Sequence, residues 1–274
     1  MNAEGFAAIA ALIKARSGIV LTPDKEYMLE TRLAGLLKQH AIPSLDALAL
    51  KLRDPRAEVL AKAVTEALTT NESSFFRDGK PFDHLKRLLP RLLAARPPGH
   101  RLRIWSAACS TGQEAYSVAM VLQEMGIRGA EILGTDLSAE VVGRARDGLY
   151  TQFEVQRGLP VQMLVKHFRQ EAGKWRVQPA LREMARFEER NLLGDHRPLG
   201  RFDVVFCRNV LIYFDPQTKG RVLNALAAQM APDGVMYLGG AETVLGLTDR
   251  LMAVPGERGA YGLTAAVAPV RLAG

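Results

Sequence analysis

Over the first seventy residues, apolar side chains return at helical spacing, as Phe6, Ile9 and Ile13 and then as Leu33, Leu36 and Leu37, with no strand-like alternation. Thr22-Pro23-Asp24 is a turn that begins a helix, with Pro23 tolerated in the first helical turn. Ile42-Pro43-Ser44 breaks the next pair, and Ser44 can cap the helix after it. The pattern predicts a small helical domain over residues 1–76. Leucines at 85, 88, 89, 92 and 93 then mark a basic amphipathic helix over 79–96, which Pro97-Pro98-Gly99 ends.

Beyond that break the period changes. Leu102–Ala107 reads as a strand, Gln113–Met125 as a helix and Glu131–Thr135 as a second strand, after which Ser138 caps a helix running through Arg146. Further strands are predicted at Ala185–Glu189, Asp203–Cys207 and Val235–Gly239, with a helix at Pro216–Met230 between the last two. Strands alternating with helices imply an α/β domain over 77–274 with a parallel, doubly wound sheet. Residues 155–184 interrupt the alternation and, with Trp175-Arg176-Val177 between Gly173 and Pro179, read as a small inserted β subdomain. No internal repeat or low-complexity segment occurs.

The chain has 274 residues, enough for one large domain or two unequal ones. No apolar run approaches the roughly 20 residues that span a bilayer. The short patch Phe6–Ile13 is followed, not preceded, by Lys14 and Arg16, the wrong order for a secretory signal. Cys109 and Cys207 cannot build a disulfide framework or a metal cluster, so a cytoplasmic protein is expected. Charge is uneven: residues 1–70 are almost neutral, whereas residues 77–103 carry eight Lys/Arg against two Asp/Glu, most of the net +7. A solvated helix face explains this stretch, and attraction to acidic partners is the alternative. Nucleic acid is not expected, because aromatics do not interleave with the charges as stacking platforms.

A doubly wound sheet binds its ligand outside the carboxyl ends of the strands, near the switch point. The first strand runs into Ser106-Ala107-Ala108-Cys109-Ser110-Thr111-Gly112-Gln113-Glu114, a small-residue turn with Gly112 as its one glycine. It lacks the close-approach glycines that a pyrophosphate wants, which disfavours a nicotinamide dehydrogenase. Small residues still let an adenosine or a methionine moiety approach the backbone. Asp136 ends the second strand 24 positions after Gly112, where a carboxylate accepts hydrogen bonds from a ribose diol or else caps the next helix. Glu114 suits the helix dipole and can also pair with an ammonium. In Leu68-Thr69-Thr70-Asn71-Glu72-Ser73-Ser74-Phe75-Phe76-Arg77-Asp78, core packing explains the two phenylalanines but not Asn71, Ser73 or Arg77. His40, His84, His100, His167 and His196 are scattered without metal-ligand spacing, so no metal site is expected.

Three segments, Thr69 to Arg77, Trp105 to Glu114, and Phe206-Cys207-Arg208-Asn209-Val210-Leu211-Ile212-Tyr213-Phe214, resemble in order and spacing the signatures of the CheR-type chemotaxis receptor methyltransferases. The likeness covers roughly residues 5 to 263. It implies a Rossmann-like methyltransferase sheet with a small inserted β subdomain, preceded by an all-helical N-terminal, receptor-facing domain. It also implies S-adenosyl-L-methionine as cofactor, S-adenosyl-L-homocysteine as product, and transfer of methyl groups to glutamates in the cytoplasmic domain of chemotaxis receptors. Carried over, Asn71, Ser73, Arg77, Glu114, Asp136, Asn191, Leu192, Arg208 and Asn209 would line the cofactor site. Glu114 would face the methionine amine, Asp136 the ribose, and Asn191 and Leu192 the adenine. Arg77 and Tyr213 would face the transferring methyl group, and Arg32 would be a substrate contact. The chain departs from the family pattern at Ser73, where several relatives have threonine, and at Gln113, where many have glutamate. Gly35 and Leu36 occupy positions where relatives often carry arginine. A methyltransferase with another acceptor, or a non-catalytic S-adenosylmethionine-binding module, would share the fold and the cofactor residues.

Overall fold

The computed structural model describes residues 1–267 and divides into two compact units. The first comprises Met1–Thr70 together with Tyr213–Thr218, the second Asn71–Ile212 with Lys219 onward.

Four helices build the first unit: α1 (Ala3–Ser17), α2 (Glu26–Gln39), α3 (Leu45–Lys51) and α4 (Glu58–Leu68). Two of the helix starts have a clear local cause. The Asn2 side chain accepts from the Gly5 amide at 2.6 Å and Ser44 from the Ala47 amide at 3.1 Å, satisfying donors that a helix N-terminus leaves unpaired. Gly18, left-handed at φ 80°, closes α1. Ile9, Ile13, Leu29, Leu33, Leu48, Val64 and Leu68 fill one core, the helical spacing read from the sequence. The later segment joins this unit through a single bridge between Ile19 and Phe214, a hydrogen bond from the Val20 amide to the Tyr213 carbonyl, and a Lys14–Asp215 ion pair at 2.7 Å. Lys14 and the Thr218 groups hold the Asp215 carboxyl well below the usual range.

The second unit begins with α5 (Lys80–Ala94), then β1 (Leu102–Ala107), α6 (Gln113–Glu124), β2 (Ala130–Asp136) and α7 (Ala139–Asp147). An insertion comes next: β3 (Leu149–Tyr150), α8 (Gln152–Gln156), α9 (Val161–His167), β4 (Phe168–Glu171), β5 (Lys174–Val177) and α10 (Pro179–Arg182). The chain returns to the main sheet with β6 (Ala185–Glu189), β7 (Phe202–Cys207), α11 (Pro216–Ala227), β8 (Met230–Leu238), β9 (Leu251–Ala253), β10 (Ala260–Leu263) and α12 (Thr264–Val267). The seven strands lie in the order β6-β2-β1-β7-β8-β10-β9. The first five are parallel, while β10 pairs antiparallel with both β8 and β9. Strand order reverses beside β1, which has β2 on one side and β7 on the other, so the ligand crevice of such a sheet falls at the ends of these strands. Every residue of β7 is buried, as expected of a strand covered on both faces.

Three sequence expectations need adjusting. The sheet is mixed, not wholly parallel: β9 and β10, of three and four residues, are too short to show a period and form a late antiparallel edge. The insertion starts before residue 155, because the two-residue β3 pairs with β5, and β5 with β4, in an antiparallel sheet. The boundary between units falls at 70/71 instead of 76/77. Phe75 packs edge-on against Tyr150 and Phe168 at 5.0 and 5.5 Å, and the Phe76 amide donates to Ser117, so the aromatic end of the Asn71–Arg77 segment belongs to the second core. Half of the cations in the basic stretch resolve into pairs. Phe82, Leu85, Leu88, Leu89 and Leu92 bury one face of α5, while Lys86 pairs with Asp83, Arg87 with Glu257, Arg96 with Asp203 and Asp233, and Arg103 with Glu131.

Gly158 links the insertion to the first signature. It is left-handed at φ 82°, and an added Cβ would stand 2.1 Å from the Phe75 carbonyl oxygen. Gly158→Ala should therefore cost more than about 2 kcal/mol in urea unfolding, combining backbone strain with a clash against main chain. A loss under about 0.5 kcal/mol would show that the two segments separate freely.

Candidate functional site

Among the described residues seven non-glycine residues have positive φ, and five of them, Phe76, Asp78, Ala108, Ser110 and Asn209, lie in or directly beside the three signature segments. Such backbone costs energy and persists where the surroundings over-determine it, typically at sites that bind or react. Three loops carry these residues: the segment before α5, the turn between β1 and α6, and the end of β7. The turn and the β7 loop stand at the carboxyl ends of their strands.

Arg208 draws the three segments together. Its side chain is 2% exposed, with Nη1 donating to Glu114 at 3.0 Å and Nη2 to Asp78 at 2.7 Å and to the Arg77 carbonyl at 2.8 Å. Glu114 also accepts from the Ser106 hydroxyl at 2.7 Å. Two acids facing one buried cation leave the cluster with a negative balance, suited to a ligand that brings its own ammonium. A carboxylate can accept about four hydrogen bonds, so Glu114 can hold Ser106, Arg208 and an ammonium together. The Nε of Arg208 is buried without a partner, a donor awaiting an acceptor.

Asp136 organises a second cluster. One of its oxygens accepts from the Ser110 amide at 2.8 Å and the other from the Ser138 amide at 3.1 Å. The Ser110 hydroxyl in turn donates to the Asn71 carbonyl at 2.6 Å, tying the first signature to the turn after β1. Asp136 thus holds the amide of Ser138, the residue just before α7, while the Ser138 side chain that the sequence reads as the cap makes no cap bond. These amides still leave room for ribose hydroxyls on a four-acceptor carboxylate. The Arg190 amide donates to the Asp136 carbonyl at 2.7 Å, which sets Asn191 and Leu192 just past the end of β6, beside β2. Asn191 accepts from the Leu193 amide in a turn, and Leu192 is buried.

Arg77 is half-buried and donates to the Glu72 carbonyl at 3.2 Å. Ser73 is half-buried and Asn71 exposed. Tyr213 ends a short helical turn, Leu211–Tyr213, and falls in the segment grouped with the first unit. Arg32 lies in that unit as well. Its two Nη atoms donate to the Leu68 and Thr69 carbonyls and to the Thr70 hydroxyl, at 3.1, 2.8 and 3.1 Å. Arg32, which the sequence offered as a substrate contact, thus caps the carboxyl end of α4.

Several contributors were invisible to sequence reasoning. Asp78, Ser106 and Ser110 sit inside or beside the quoted signatures but drew no assignment, since only the fold brings them to Arg208, Glu114 and Asp136. Glu242, three residues past Gly239, accepts from the Asn209 amide at 2.9 Å and holds the loop after β7. An acid just beyond the carboxyl end of a parallel strand was the available signal. Burial pushes the thiols of Cys109 and Cys207 well up, so neither is a thiolate nucleophile at neutral pH. Among the described residues no group of three or more His, Cys, Asp or Glu is arranged to hold a metal.

The chain is similar to known proteins over most of its length. Residues 71–260 match the family model described as CheR methyltransferase, SAM binding domain, and residues 4–69 match CheR methyltransferase, all-alpha domain. The chain is 38% identical to the chemotaxis protein methyltransferase Cher2 of Pseudomonas putida, over 91% of this chain and 94% of that protein. It is 39% identical to chemotaxis protein methyltransferase 1 of Pseudomonas aeruginosa, over 92% and 94%. It is 37% identical to chemotaxis protein methyltransferase 1 of Vibrio cholerae, over 87% and 88%. The residues here fit S-adenosylmethionine, given the acidic Glu114 cluster, the orphaned Arg208 Nε and the carboxylate at the end of β2.

Asp136→Ala removes the acceptor of the Ser110 and Ser138 amides at the end of β2. S-adenosylmethionine affinity should fall by about 1–3 kcal/mol in calorimetry while the chain stays folded. Unchanged affinity would reduce Asp136 to a loop and helix cap.

Proposed function

The chain belongs to the CheR methyltransferase family, and from that premise we propose that it methylates glutamate side chains in the cytoplasmic domain of chemotaxis receptors, forming glutamyl methyl esters. It is an S-adenosylmethionine-dependent methyltransferase of chemotaxis. The glutamate acceptor, the receptor partner, the cytoplasmic setting and the roles of individual residues are the proposal. Among the described residues no helix is long and apolar enough to cross a membrane, consistent with an enzyme that meets its receptor from outside the bilayer.

The observation that most supports a carboxylate acceptor is the kind of groups at the site: acids, an arginine pair and small polar residues, without a histidine or an activated thiol among them. A glutamate carboxyl, which ordinarily titrates near pH ~4.3, is already an anion at neutral pH and needs no base. S-adenosylmethionine supplies a methyl group on a sulfonium and leaves as S-adenosylhomocysteine. The protein's own part is to orient and desolvate. Glu114, with its charge shared by Arg208, would receive the methionine ammonium, and Asp136 the ribose. Asn71, Ser73, Asn191, Leu192 and Asn209 would complete the cofactor site. Arg77 would hold one acceptor oxygen by a charge-assisted hydrogen bond, and Tyr213 would orient the other groups at the transfer point. Too strong a pairing would lower the nucleophilicity of the carboxylate, so Arg77 acts by positioning, keeping the acceptor in a near-attack geometry of about 3–3.5 Å.

Incubating the protein with labelled S-adenosylmethionine and chemoreceptor-bearing membranes should put base-labile label on the receptor. Cofactor binding without transfer would overturn the proposal.

The two transfer-site residues should act on turnover more than on folding. Tyr213→Phe keeps the ring and should lower single-turnover transfer while stability stays within about 1 kcal/mol of wild type. Arg77→Ala should abolish measurable transfer, and Arg77→Lys should rescue poorly, because an ammonium cannot reproduce the planar donor fork. Wild-type rates in both Tyr213→Phe and Arg77→Lys would remove these residues from the reaction.

A further inference from the structure

We infer that Glu242 is a positioning residue for the transfer reaction, its carboxylate clamping the loop after β7 so that Asn209 is presented to the cofactor. The inference rests on the placement of Asn209 beside S-adenosylmethionine.

The geometry is unusual for one side chain. Oε1 of Glu242 accepts from the amides of Val210, Leu211 and Ile212 at 3.0, 2.8 and 3.3 Å. Oε2 accepts from the amides of Asn209 and Gly239 at 2.9 and 2.6 Å. Five main-chain donors therefore converge on one carboxylate, four from the loop after β7 and one from the residue after β8. An ordinary helix cap takes one or two amides from its own chain segment. Here the acid joins the carboxyl ends of two neighbouring parallel strands, where this type of sheet binds its ligand. Successive amides pointing into one concavity form an anion nest, and the side chain of Glu242 fills it.

Asn209 is the residue this nest controls. It is left-handed at φ 58°, a conformation that an isolated residue would leave. Its amide donates to Glu242, and its side chain lies against Gly239. A Cβ on Gly239 would stand 2.8 Å from Asn209 Nδ2, 2.9 Å from Asn209 N and 2.7 Å from Glu242 Oε2. Glu242 thus fixes the backbone of Asn209, and Gly239, lacking a Cβ, leaves the space that the Asn209 side-chain amide occupies. Arg208, one residue earlier, carries the Glu114 and Asp78 pairs, so the clamp starts where the charged cluster ends.

The test uses the full chain, Glu242→Ala and Asn209→Ala, with S-adenosylmethionine affinity read by calorimetry and transfer read in a single turnover. Asn209→Ala should weaken cofactor binding. Glu242→Ala should weaken it at least about tenfold and slow transfer, because the loop amides lose their acceptor. The truncation removes the equivalent of acetate, so sodium acetate should restore affinity to within about threefold of wild type, whereas acetamide should not, since a nest selects anions. Plain packing would not distinguish these two additives. Glu242→Gln keeps the volume but turns an amide N–H2 toward backbone donors, and it should show the same loss with its thermal transition preserved. Weakened binding in Asn209→Ala with wild-type affinity in both Glu242 variants would overturn the clamp and leave the cofactor site standing. A loss in Glu242→Ala that acetate and acetamide treat alike would also overturn it. Wild-type affinity in Asn209→Ala would overturn the placement of Asn209 itself, and the inference with it.

Discussion

A guanidinium that is 2% exposed must be surrounded by acceptors, and most of the site depends on how Arg208 meets that demand. Glu114 comes from the first turn of α6, Asp78 and the Arg77 carbonyl from the segment before α5, and Arg208 from the end of β7. Removing Glu114 from its buried pair with Arg208 costs about 3–5 kcal/mol, because the remaining charge stays out of water, whereas the half-exposed Asp78 contributes less. The loops cannot relax without breaking it. Left-handed backbone at Asp78 and Asn209, residues that tolerate it better than most, lies on either side of this cluster.

Carboxylates at the strand ends divide into two kinds. Glu114 and Asp78 answer a cation, whereas Asp136 and Glu242 answer backbone amides. The first kind sets the charge balance around Arg208. The second sets loop shape: Asp136 ties the turn after β1 to the start of α7, and Glu242 ties the end of β7 to the end of β8. Chemistry that asks for orientation without proton transfer suits such a site. The enzyme needs stiff loops and well-placed charges more than it needs a titrating group.

Much of this was legible in the residues themselves. Helical spacing marked the whole first unit as helical, and the change of period after Pro97-Pro98-Gly99 located the sheet, because a buried strand and an amphipathic helix impose different patterns on a chain. β1 and β6 run over the very residues read from the sequence, being bounded by turn residues and fully committed to one pattern. The antiparallel edge and the early start of the insertion were not legible, since strands of two to four residues carry too few positions for a period.

The site divides along the same line. Residue type and spacing by themselves determined that a doubly wound sheet carries a small-residue turn and a carboxylate at the end of its second strand, and the resemblance singled out the arginine–asparagine pair at a later strand end. Partnership is a property of space, so only the tertiary structure decided which group answers which. It set Asp136 on the Ser110 and Ser138 amides, and it turned Arg32 onto the end of α4. It brought Asp78 to Arg208 across 130 positions of chain, and Glu242 to the Asn209 amide across 33. A sequence states which donors and acceptors a chain owns; burial decides which of them must meet, because a polar group removed from water has to find its partner among whatever the fold places within about 3 Å.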